Sequence, residues 1–238
     1  MNAFVAYPAL LVLAWMAWRG SLRAYLVWLG VLAYSAYSYL LYAGFLHFSG
    51  WFLVYVAVLG LSVYALIGGL VALPAERVAA AFSDRAPVRL AGGLLVALGL
   101  AFAALWLAEI VPSALAGEPL PSATEAGLVT NPVHILDLAI LLPAMVLTGV
   151  QLRRGRPVGY LLVVPLYGFG IVMSAAILGM FASLAVAAEP VLVPVAVVMI
   201  VVAGVQVWVL ARLLSTLSAD VDVMAQLDRT PDRAATGR

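Results

Sequence analysis

Residues 51–73 read WFLVYVAVLGLSVYALIGGLVAL, and no charged side chain interrupts them. A helix rises about 1.5 Å per residue and a bilayer's hydrocarbon core is about 30 Å thick, so a run of this length is long enough to cross a membrane. Inside lipid each backbone N–H and C=O must find its partner within the protein, and a continuous helix satisfies that requirement by itself. The stretch therefore predicts a spanning helix.

The pattern recurs on both sides. Apolar runs occupy 2–18, 24–44, 90–112, 132–151, 159–187 and 191–214. With 51–73 they predict an all-α, polytopic integral membrane protein of seven transmembrane helices. Residues 1–214 then form one transmembrane domain, and 215–238 a short tail that is helical to about 227 and polar beyond it. Composition agrees: 66% of the chain is hydrophobic and 10% charged, where a soluble domain carries about a quarter charged residues. The first partner implied is the lipid bilayer. A net charge of +1 without any basic stripe argues against nucleic acid.

Two absences restrict the chemistry. The chain has no cysteine, which excludes disulfides and thiolate metal sites. It has no lysine, which excludes a Schiff base to retinal or any other aldehyde.

The arginines set an orientation. They fall at 19 and 23, at 77, 85 and 89, at 153, 154 and 156, and at 212, 229, 233 and 238. With seven spans every cluster lies on one side, and the other side carries Glu118, Glu125 and Glu189 with Glu109 at the membrane edge. The excess of basic residues in cytoplasmic loops predicts the N-terminus outside, the C-terminus cytoplasmic and a plasma membrane location. The first run is short, and Arg19 and Arg23 follow it rather than precede it, the reverse of a secretory signal, so it reads as a retained span. Between spans three and four, 74–89 has room for a short interfacial helix with Val78 and Phe82 toward lipid. The long loop 113–131 joins spans four and five on the acidic side.

An internal match stands out. Shifted by 135 residues, YPALLVLAWMAWRGSLRAYL (7–26) lies over LPAMVLTGVQLRRGRPVGYL (142–161) without a gap. Pro8, Arg19, Gly20 and Tyr25 meet Pro143, Arg154, Gly155 and Tyr160. Apolar identities arise easily in membrane sequence, whereas these residue types at fixed spacing do not. The match predicts parallel repeats in spans 1–3 and 5–7 with span four as linker, a known carrier plan. This 3+1+3 layout with an outside N-terminus resembles that of SWEET-type sugar carriers, and also that of microbial rhodopsins. The likeness is one of architecture, and no functional residue is carried over from it.

Chemistry concentrates in TNPVHILDLAILLP, residues 130–143. Asn131 reads as an N-cap and Pro132 as the first helical residue. His134 falls in the first turn, and Asp137 one turn deeper on the same face. A carboxylate within a span costs about 2.5–3.5 kcal/mol at the helix centre and less near the edge, so it faces the bundle or water and has a partner. His47, a tyrosine of span two or a bound ion could serve. His134 also fits a plain interfacial imidazole. Span two carries YSAYSYLLY, in which Tyr34 and Ser38 lie one turn apart and fit either pocket lining or interhelical hydrogen bonding. Tyr167, beside the GFG of 168–170, borders a site that could flex.

Three functions follow. The first is a small-solute carrier or ligand-binding membrane protein, with Asp137, His134, Glu109, Tyr34, Ser38 and Tyr167 around an outward pocket. The second is a membrane-embedded metal- or cofactor-dependent enzyme, with His134, Asp137, His47 and Glu109 as ligands of a divalent ion such as zinc or iron. The third is an accessory subunit that docks a partner, and a homo-oligomer is compatible with each.

Overall fold

The computed structural model describes residues 7–187 and 192–218. The expected positions of Glu189, of the tail beyond 218 and of residues 2–6 of the first span lie outside them. The described residues form helices and no strand. In order these are α1 (Tyr7–Trp18), α2 (Leu22–Phe45), α3 (Phe52–Val71), α4 (Ala75–Ala80), α5 (Val88–Ala116), α6 (Pro121–Glu125), α7 (Pro132–Leu136), α8 (Leu142–Arg153), α9 (Pro157–Val186) and α10 (Val193–Ser215). A wide π turn, Asp137–Leu141, joins α7 to α8 into one rod.

Six of these rods are long and apolar enough to cross a membrane: α2, α3, α5, the α7–α8 rod, α9 and α10. Helix α1 is apolar but has 12 described residues, about 18 Å of rise. All-α, multi-pass membrane architecture is therefore as the sequence indicates.

Helices α2 and α9 are central. The first packs against α1, α3 and α9, the second against α2, α4, α8 and α10, and α5 lies along α8. Without a hydrophobic drive between helices in lipid, close backbone approach and polar contacts carry the packing. Gly30 supplies the first: a Cβ there would meet the Pro165 carbonyl oxygen and come within 2.9 Å of the Phe169 nitrogen. Gly92 and Gly149 meet likewise between α5 and α8, where a Cβ on either would strike the other's carbonyl oxygen. Polar contacts add to this. The Tyr25 hydroxyl donates to the Gly69 carbonyl at 3.0 Å, and the Gln206 amide reaches Ser174 at 3.5 Å.

The two turns with the matching Arg-Gly pairs have the same backbone design. Gly20 and Gly155 both take positive φ, 94° and 68°, a conformation that glycine adopts without strain. The N–H groups of Arg19, Gly20 and Ser21 bond the carbonyls of Trp15, Ala17 and Met16. Those of Arg154, Gly155 and Arg156 bond Val150, Leu152 and Gln151, each pair 135 positions on.

The arginine-bearing end is tied together through backbone groups. Ser83 N–H donates to the Thr216 carbonyl at 2.9 Å, Ser218 N–H to Ala81 at 2.8 Å, and the Arg23 guanidinium to the Leu217 carbonyl. The short helix expected within 74–89 is α4, but its apolar face differs from expectation. Val78 is buried in the core and the Phe82 ring packs on Tyr160, because α4 folds under α9 rather than lying in lipid. Pro194 sits in the first turn of α10, where its missing N–H has no helical partner to lose.

Candidate functional site

The stretch 130–143 opens as its residues dictate. Asn131 Oδ1 accepts from the Val133 N–H at 3.0 Å, and Pro132 takes the first turn. The rod then widens. Leu142 N–H bonds Asp137 C=O, a π-type pairing. Pro143 explains it: proline has no N–H to give and its ring crowds the carbonyl one turn back, so an extra residue in the preceding turn relieves the clash.

Asp137 is buried and holds three helices together. Its Oδ1 accepts from the Tyr37 hydroxyl of α2 at 2.9 Å, and its Oδ2 from the Trp106 indole N–H of α5 at 2.9 Å. The partner that the sequence required is thus a span-two tyrosine plus a tryptophan that sequence reasoning missed. The signal was present, since Trp106 lies one turn before Glu109 on the same helix.

His134 is only 3% exposed, and neither ring nitrogen has a hydrogen-bond partner. Its ring lies against Trp106 with centroids 4.6 Å apart. Glu109 Oε2 is 3.7 Å from its Nε2, beyond a hydrogen bond. Glu109 Oε1 accepts the Ser122 N–H at 3.0 Å, and Asn131 Nδ2 donates to Ser122 Oγ at 3.0 Å. Two residues of the rods thereby clasp α6 over this end of the bundle.

The sequence-derived site residues divide. Asp137, His134 and Glu109 gather around Trp106. Tyr34 and Ser38 are buried on α2, three residues before and one after Tyr37, and the Tyr34 and Tyr37 rings pack edge-on against Phe169. Tyr167 does not join them. It is fully buried and its hydroxyl donates to the Ala91 carbonyl at 2.9 Å, near the arginine-bearing start of α5, a contact between α9 and α5. His47 is exposed in the α2–α3 hairpin. Among the described residues no group of three His, Asp or Glu side chains is placed to hold a metal ion. The four-ligand set of His134, Asp137, His47 and Glu109 is therefore not assembled there: His47 is exposed in the hairpin, whereas His134 and Asp137 are buried within the bundle.

A groove of about 290 Å³ runs beside the cluster between α2 and the α6–α7 stretch. Leu41, Tyr42, Phe45, Leu128 and Val133 make it apolar, and Ser122 and Asn131 form a polar lip. Compared with models of protein families, with curated proteins and with solved structures, the chain matches none.

Proposed function

We propose that this chain binds a small solute at the α6 end of its helix bundle and acts as its carrier in a plasma membrane. The observation that carries the reading is His134. A buried polar group without a partner costs about 1–3 kcal/mol, and a protein retains such a group where a ligand completes it. The carboxylates of Glu109 and Asp137, the Trp106 ring and an adjoining groove surround it. The π turn under Asp137 belongs to a class of helix defects frequent at functional sites.

The carrier plan has seven spans, with the N-terminus and the α6 end outside and the arginine-bearing end cytoplasmic. It is built from two parallel halves, α1–α3 and α7–α10, with α5 as linker. Supporting this are the identical hydrogen bonding of the two Arg-Gly turns and the meeting of Gly30 with Pro165, positions 135 apart, between the second helices of the halves. Equivalent positions touch where a two-fold axis passes.

Reconstituted full-length protein tests the function. A panel of small solutes is screened by thermal shift, and those that stabilise are tested for uptake into liposomes. Saturable uptake that His134→Phe abolishes supports the reading. Stabilisation without uptake leaves a binding protein and removes the carrier. A panel that shifts neither wild type nor variant removes both.

A further inference from the structure

The groove and the orphaned imidazole are connected. Ser122 lines the groove, and its backbone N–H is held by Glu109, whose other oxygen faces His134. Val133 forms groove wall and precedes His134 in the chain. One side of this assembly is apolar, and the other offers polar positions without a hydrogen bond: Glu109 Oε2, the ring nitrogens of His134, and the unused lone pairs of Asp137.

Charge decides the rest. Among the described residues the side chains of formal charge at this end are the carboxylates Glu109, Asp137, Glu118 and Glu125, and all nine described arginines lie in or beside the loops at the other end. Among the described residues no cationic side chain at this end meets an incoming anion, and none but a protonated His134 neutralises Glu109. A ligand that supplies positive charge completes the site. One that supplies negative charge leaves the half-buried Glu109 and the buried Asp137 facing it, which is unfavourable.

Resting on the carrier reading above, we infer that the solute class is an amphiphile with a protonated amine head. Its alkyl part lies in the groove of Leu41, Tyr42, Phe45 and Leu128, and its ammonium group sits between Glu109 and His134. An ammonium has three donors and no acceptor, which suits a cluster whose free carboxylate positions accept. The Trp106 ring beside His134 adds an aromatic face, favourable to a cation. About 290 Å³ of groove, at roughly 30 Å³ for a water-sized unit, takes a short alkyl chain.

Three probes of one chain length separate head from tail: n-octylammonium, n-octanol and n-octanoate, titrated at pH 7 into nanodiscs holding the full chain. The readout is the saturable part of the thermal shift. Octylammonium is expected to bind at least about tenfold tighter than octanol, about 1.4 kcal/mol, with octanoate weakest. Glu109→Gln keeps an oxygen for the Ser122 N–H and removes the charge, so it brings octylammonium to the octanol level. Ala126→Trp, at an exposed groove position, fills the groove and removes saturable binding of all three. If octanol or octanoate matches octylammonium in wild type, the amine class is overturned while a ligand site at the groove stands. If Ala126→Trp leaves octylammonium binding intact, or no probe saturates, the groove is not the site and the inference fails. The carrier reading is then decided separately, by the solute screen and its uptake assay.

Discussion

Replacing Asp137 with leucine tests what its carboxylate does. From the sequence, an apolar residue there is expected to be neutral or stabilising, because a carboxylate in a span is costly and replacing a buried charge with a well-packed apolar group often gains stability. The structure reverses the sign. Tyr37 and Trp106 both donate to this side chain at 2.9 Å, and leucine would strand both donors. Each stranded buried donor costs about 1–3 kcal/mol in soluble proteins, and membrane hydrogen bonds average about 0.6 kcal/mol. Two of them give an expected loss of about 1–6 kcal/mol, the lower end from the membrane average and the upper from soluble proteins. Asp137→Asn behaves differently. Its amide oxygen accepts from Trp106, and its NH₂ donates to the Tyr37 oxygen, which can accept as well as donate, so the loss is expected to be under about 1 kcal/mol. Unfolding by SDS titration in mixed micelles measures both. A double-mutant cycle with Tyr37→Phe should show coupling of about 1 kcal/mol, since phenylalanine removes one of the stranded donors. If Asp137→Leu is as stable as wild type and the cycle shows no coupling, the three-helix role of Asp137 is wrong.

Further outcomes follow from the same geometry. Gly30→Ala places a Cβ against the Pro165 carbonyl and should cost about 1–3 kcal/mol in the same titration, whereas Gly60→Ala, which meets nothing within 4 Å, should cost nothing or slightly stabilise its helix. Tyr167→Phe loses one bond to Ala91 and should lower stability by about 0.6–1.7 kcal/mol, with octylammonium affinity unchanged; a fall in affinity would return Tyr167 to the site. A reporter fused after Arg154 should read cytoplasmic and one inserted beside Glu118 external, and agreement between the two would refute the proposed topology.

The helices were legible in the sequence because lipid demands one thing of a spanning segment, an apolar run of sufficient length, and that is a local property. Residues 51–73 and 90–112 therefore predict α3 and α5 to within a few positions. The cap at Asn131 and the turns at Gly20 and Gly155 were equally local, each set by one side chain or one backbone preference. Depth was only partly legible. The run 159–187 placed Tyr167 in a span, but which neighbour its hydroxyl met depended on how α9 lies across α5. Val78 read as lipid-facing until α4 was seen to tuck under α9. His134 and Asp137 announced themselves by spacing and cost, but only the tertiary structure decided that Asp137 has two partners and His134 none. The reason is physical. An insertion cost belongs to a residue, whereas a hydrogen bond between Tyr37, Trp106 and Asp137 belongs to three helices that the chain brings together from far apart in sequence.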